Sequence, residues 1–248
     1  PPPPTPAVTP TPEADAPATP PTPPAPTAAK PAAPAVLATE PFVNRLTSAD
    51  LRVVSWNVKW DAIFADVDET TAARFARVIR ALGPDVLALQ EIRRPAEDVV
   101  TLLNELLPLP DGGTWYAFSG QSNVIASRWP LSLAADRMEP DAGRRRALAL
   151  VDLPDERFPI DLYVTNHHFK CCGTAGGEED KDRQAQADAI AAWLREARTP
   201  GGPIELPPHT GLLVVGDLNI VGGPEPLQTV ITGSIVDTAT FGQPTPPD

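Results

Sequence analysis

The chain has 248 residues, a formal charge of −12 and 33 prolines. That acidity argues against a tight non-specific grip on a nucleic-acid backbone, and the absence of any run of about eighteen apolar residues argues against a membrane-spanning segment. The only cysteines, Cys171 and Cys172, are neighbours, so they cannot staple distant elements and are expected to be free thiols.

Residues 1–41 are a different polymer from the remainder. Pro, Ala and Thr dominate and 16 of the prolines lie there, a composition that buries no core and favours extended, partly polyproline II chain. This tail reads as a tether or spacer. A Pro-rich ligand for another domain is the alternative, but the basic residues that orient such docking are missing. The chain does not begin with Met, so a removed signal or anchor and an exported domain spaced from a surface are expected. Residues 42–248 are enough for one domain with a sizeable core, carrying −10 of the charge, and a monomer is expected.

Leu51–Trp56, LRVVSW, alternates and is β-branched, which predicts a strand, with Asn57 following as it leaves the sheet. Trp56 and Trp60 bracket that Asn. Asp68–Leu82 places Phe75, Val78, Ile79 and Leu82 on one helical stripe, and Gly83-Pro84 stops it. Asp85–Ile92, DVLALQEI, predicts a buried strand ending in Gln90 and Glu91. Pro95–Leu107 is a second amphipathic helix. Short strands then follow at Tyr116–Ser119, Asn123–Ser127, Leu131–Arg137, Ala147–Leu153 and Ile160–Thr165, separated by turn residues. The pattern predicts an α/β (α+β) domain with mostly antiparallel sheets covered by helices, and no Gly-x-Gly-x-x-Gly follows a strand to suggest a dinucleotide fold.

Beyond Thr165 the segment IDLYVTNHHFK delivers Asn166, His167 and His168. Adjacent strand residues face opposite ways, so at most one histidine enters a shared site, and His168 shares a side with Asn166. A Gly-rich loop precedes a helix over Lys181–Ala197. Thr210–Ile220, TGLLVVGDLNI, then reads as a fully buried strand whose end carries Asp217 and Asn219 two residues apart, on one face if the backbone stays extended. A carboxylate at the end of a buried strand is costly unless paired, which suits a cation and a phosphate; an Asp-Leu-Asn turn closing a core strand is the plain alternative. A short helix is expected at Glu225–Thr232.

Taken together, SWN at Asn57, LQE at Glu91, TNHHFK at His168 and GDLN at Asp217 and Asn219 resemble, in order and spacing, the endonuclease/exonuclease/phosphatase superfamily of deoxyribonuclease I-like phosphohydrolases. The resemblance runs from about Leu51 to Asp237. It implies a four-layer sandwich, two β-sheets face to face with helices outside, and a site at one edge. It also implies a divalent-metal-dependent phosphodiester hydrolase using Mg²⁺ or Mn²⁺, with Ca²⁺ as a further option. In that reading Glu91 is the principal metal ligand, with Asn57 and Asp217 beside it. Asp217 orients or deprotonates water, His168 bonds the phosphoryl group or protonates the leaving oxygen, and Asn57, Asn166 and Asn219 hold phosphate oxygens. Lys170 and Arg183 are weaker anion contacts, for which a solvated surface role is expected. The family's closing Asp-His is not matched before Asp248, so the domain is expected to lack its C-terminal strands, and His209, set among prolines, does not replace it. A nuclease is the first reading; hydrolysis of phospholipid, sugar or inositol phosphates, or a non-catalytic binding domain of the same fold, are the alternatives.

Overall fold

The computed structural model describes residues 51–132, 145–202 and 204–244; the Pro-rich segment, most of the expected strand after Leu131 and the last four residues lie outside it. One sheet has the order β1-β2-β4-β3, built from β1 (Val53–Asn57), β2 (Val86–Gln90), β3 (Tyr116–Gly120) and β4 (Asn123–Ser127). The other has the order β5-β6-β7-β8, built from β5 (Leu131–Ser132), β6 (Arg145–Val151), β7 (Leu162–His168) and β8 (Gly211–Asp217). Each sheet holds one parallel pair, β1 with β2 and β7 with β8, among otherwise antiparallel neighbours.

Alternation along the strands creates three apolar layers. Leu87, Leu89, Val124 and Ala126 face α1 (Ala65–Leu82) and α2 (Ala96–Leu106). Val86, Ile125, Ala147, Ala149 and Val164 fill the space between the sheets. Leu148, Leu150 and Tyr163 pack under α3 (Glu178–Arg198), where Tyr163 stacks on Trp193 at 5.1 Å between ring centroids. Two shorter helices, α4 (Glu225–Thr232) and α5 (Thr238–Phe241), finish the described chain. The two sheets face to face with helices outside are the expected four-layer α/β sandwich. Among the described residues no helix is long and apolar enough to cross a membrane.

Local signals explain the element ends. The first helix begins three residues before the expected Asp68, which is itself non-helical (φ −152°, ψ 95°); its Oδ1 accepts the Thr71 N–H at 2.9 Å, capping the regular part. Gly83 ends that helix in the left-handed region at φ 53°. Gln121 and Ser122, both at positive φ, make the two-residue hairpin between β3 and β4. The third helix takes in Glu178, Glu179 and Asp180, acids that its positive N-terminal end favours, so the preceding loop is shorter than expected. Two expectations fail on β8 and β7. The LLVV run is half-buried rather than fully buried, because among the described residues β8 is an edge strand of its sheet. The histidine pair belongs to β7 itself, since pairing with β6 and β8 continues through His168.

Candidate functional site

The layer between the sheets changes chemistry along its length. Past the apolar layer comes a band of buried amides: Gln90 from β2, Asn123 from β4 and Asn166 from β7, all at most 1 % exposed. Gln90 Nε2 donates to Asn166 Oδ1 at 2.6 Å, and Asn166 Nδ2 donates back across the interface to the Leu89 and Val124 carbonyls at 2.9 and 3.0 Å. Asn123 Nδ2 in turn donates to the Asn166 carbonyl at 3.0 Å. At the mouth of this layer lie Asn57, in register with Gln90, Glu91 just after it, His168 two residues beyond Asn166, and Asp217 in register with His168.

These four converge. Asn57 Nδ2 donates to Glu91 Oε1 at 3.0 Å and to Asp217 Oδ2 at 2.9 Å, joining residues from opposite sheets. His168 Nε2 is 3.9 Å from each of the same two carboxylate oxygens, a through-space relation longer than a hydrogen bond. Glu91 is the more enclosed acid, its side chain 14 % exposed against 32 % for Asp217.

The backbone around them is bent to this purpose. Lys59, Trp60 and Asp61 are all left-handed, with φ of 50°, 52° and 62°, and Glu91 has φ 65°. Such residues cost roughly 1–2 kcal/mol each, and hydrogen bonds offset it. The three N–H groups of this turn go to Asn57 Oδ1, Glu91 Oε2 and the Glu91 carbonyl, at 3.0, 3.1 and 3.0 Å. On the other side Gly216 has φ 144°, and a Cβ there would lie 1.9 Å from the His167 carbonyl oxygen, so only glycine lets β8 carry Asp217 this close to β7.

Several expected roles change. Asn166 does face the same way as His168, but both of its amide hydrogens and its oxygen are used between the sheets, so it braces the fold and does not reach a phosphate. Asn219 does not share a face with Asp217 by strand alternation: its φ of 45° turns the chain, its N–H bonds Asp217 Oδ1, and its Nδ2 ties to the Phe169 carbonyl at 3.0 Å. Asn57 turns its amide nitrogen to the acids while its oxygen accepts the Lys59 N–H, so acting as an oxygen ligand beside Glu91 would require a flip that sacrifices three hydrogen bonds. Arg183 is fully buried, not solvated; it donates to the Lys170 and Cys172 carbonyls at 3.0 and 2.7 Å and to Asp180 at 3.0 Å. His209 lines a cleft of about 680 Å³ with Ala197, Leu206 and Leu212, near the start of β8 and a strand length from Asp217.

Of the two histidines, His168 enters the site and His167 points to the opposite face, against Phe169. Burial, helped by the charge of Arg146, pushes the His167 imidazole down to about 3. Sequence reasoning missed Gln90 and Asn123 as parts of the supporting seam. Their signal was present: each is a polar residue at the end of a buried strand whose middle is apolar. It also missed Asp61, whose Oδ1 accepts the Arg93 N–H at 2.8 Å and ties the turn after β1 to the segment after β2.

None of the curated proteins matches the chain. Among solved structures, a D. rerio TDP2 humanized by 14 mutations is similar at 18 % identity and a TM-score of 0.48, over 74 % of this chain and 67 % of that one. Sphingomyelinase C from Streptomyces griseocarneus is similar at 20 % identity and a TM-score of 0.47, over 74 % and 69 %. A β-hairpin deletion mutant of the Staphylococcus aureus beta toxin reaches 14 % identity and a TM-score of 0.49, over 75 % and 73 %. The decisive match is the profile of the Endonuclease/Exonuclease/phosphatase family over residues 54–246, which spans both sheets and all four converging residues, and the chain belongs to that family.

Proposed function

We propose that the protein is a divalent-metal-dependent phosphodiester hydrolase whose centre is Glu91, Asp217, His168 and Asn57. The observation that carries this is the meeting of two partly buried carboxylates, from different sheets, on one amide nitrogen. Among the described residues their only ion-pair partner is His168. Two acids held together with so little compensation call for a cation, and their oxygens are the hard donors that Mg²⁺ or Mn²⁺ prefers. Among the described residues no three His, Cys, Asp or Glu side chains form a cage for an ion. Mg²⁺ does not need one, since one or two carboxylates with waters and a substrate phosphate suffice. When bound, such an ion supplies charge stabilisation for the phosphoryl oxygens in the transition state.

Each residue has a part that follows from its surroundings. Glu91, the more enclosed acid and the one locked by the Trp60 N–H, would hold the ion. Asp217, more open and steadied by the Asn219 N–H, would orient the attacking water and take its proton. His168 would offer its imidazole N–H to a phosphoryl oxygen, lying between both acids where negative charge develops. Asn57 would keep the two acids at a fixed separation and preserve their geometry when the ion leaves. The Pro/Ala/Thr-rich segment serves as a spacer to this domain.

The test compares the full chain with Glu91→Gln on plasmid DNA, bis-p-nitrophenyl phosphate and phospholipid, with Mg²⁺ and with EDTA. Mg²⁺-dependent turnover that disappears in the variant, with an unchanged circular-dichroism spectrum, is expected. Equal rates for the two proteins, or rates indifferent to EDTA, would refute the assignment.

A further inference from the structure

Trp60 stands at the lip of this centre. Its backbone N–H is bonded to Glu91 Oε2, so its main chain is anchored beside the candidate ion-binding acid. Trp60 is 38 % exposed as a residue, while Trp115, Trp129 and Trp193 are each at 1 %. Leaving so large an apolar side chain partly in water forfeits burial that this fold gives three of its other indoles. Arg93 lies over the ring, its guanidinium carbon 3.8 Å from the ring centroid. Asp61 crosslinks the two segments by accepting the Arg93 backbone N–H, so the stretches of chain that carry the ring and the guanidinium are tied together before any ligand arrives. Lys59, also exposed, adds a second cation at the same lip of an otherwise acidic chain.

A partly exposed indole with a guanidinium over one face and a second cation nearby selects among the substrates that carry a phosphodiester. A quaternary ammonium headgroup would seek the indole face but meet the charge of Arg93 at contact distance. Sugar and inositol phosphates have no π-surface to place there. A nucleobase does, and its flanking phosphates are drawn by Arg93 and Lys59. We propose that Trp60 and Arg93 form a nucleobase-stacking shelf that seats the nucleotide next to the scissile phosphate, making single-stranded nucleic acid the substrate class. This rests on the phosphodiester-hydrolase reading above.

The experiment reads binding without turnover. Fluorescence anisotropy follows a fluorescein-labelled oligothymidylate and an abasic strand of equal length on the Glu91→Gln chain in Mg²⁺, alone and with Trp60→Ala or Trp60→Phe added. The base-bearing strand is expected to bind about tenfold more tightly than the abasic one. Trp60→Ala should erase that difference while leaving the abasic affinity unchanged, and Trp60→Phe should keep most of it. Oligouridylate distinguishes the sugar, and a base preference with either sugar supports the shelf. Equal affinity for base-bearing and abasic strands, a preference that survives Trp60→Ala, no binding of either strand, or displacement by phosphocholine but not by glycerol phosphate would each overturn it. Hydrolysis by the wild-type chain with no base preference would sink the shelf and spare the hydrolase; a base preference without hydrolysis would do the reverse.

Discussion

Two neighbouring imidazoles have opposite fates because a strand alternates its faces. His168 reaches the acids at the mouth of the inter-sheet layer, and His167 is buried against the helical side, where burial first and Arg146 second hold its proton affinity down to about 3. An unfolded chain would protonate that imidazole near 6.5, so below that pH the unfolded state takes up a proton the folded state refuses. The associated stability is complete above about pH 6.5 and is lost as pH falls towards 3, at a slope of at most about 1.4 kcal/mol per pH unit. Chemical denaturation from pH 7 to 4 should be less steep in pH for His167→Phe than for the wild-type chain. In the proposed hydrolase, Asn57 would act at the same scale on the metal. Removing the amide that bridges Glu91 and Asp217 lets the acids drift apart, and Asn57→Ala is expected to raise the Mg²⁺ concentration for half-maximal activity by about 10–100-fold with little change in melting temperature.

Strand and loop pairings decide whether the acids meet at all. Gly216 is paired with His167, and its missing side chain is the condition for Asp217 to lie beside His168. Gly216→Ala should therefore cost more than about 3 kcal/mol, measured by urea unfolding, and remove the proposed metal-dependent turnover together with the β7–β8 register. Arg183 holds the chain just after His168 and Phe169 through the Lys170 and Cys172 carbonyls, and Gly222 packs so closely on the same spot that a Cβ would lie 2.2 Å from Asp180 Oδ1. The Gly176 N–H first, and Arg183 second, keep the Asp180 carboxyl below the usual carboxylate range. Because the guanidinium is fully enclosed, Arg183→Leu is expected to destabilise the fold by about 3 kcal/mol and to raise proteolytic sensitivity around Cys171, with the Glu91 to Asn57 contact on the far sheet intact. Trypsin digestion followed by mass mapping would locate that change.

Across the whole molecule the two sheets are joined by more than apolar packing. The Gln90, Asn123 and Asn166 seam lies between the oily layer and the acids, and it sets the distance over which Glu91 from one sheet faces Asp217 from the other. Asn166→Leu strips partners from the Gln90 amide and from the Leu89 and Val124 carbonyls, and should lower stability by about 2–4 kcal/mol; substitution by His or Gln should not restore the seam, since neither matches its shape. Much of this architecture was legible in the chain. Helical stripes such as Phe75, Val78, Ile79 and Leu82, and strand ends such as LQE and GDLN, announce themselves because periodicity and the cost of burying a lone acid are local properties. Sequence order alone also pointed to Glu91, His168 and Asp217 as partners, through the family's motif series. The functions of the amides were not legible, since Asn57, Asn166 and Asn219 look alike in one dimension: a carboxamide is defined by whichever donors and acceptors distant segments present to it. For the same reason Arg183 read as a surface cation until the loops it binds were folded around it. Tertiary structure decided the amides because hydrogen-bond partners 34 to 160 positions away are fixed by sheet packing, and it decided Arg183 because the path of the loop it binds, though only 3 to 13 positions away, is not encoded by local spacing.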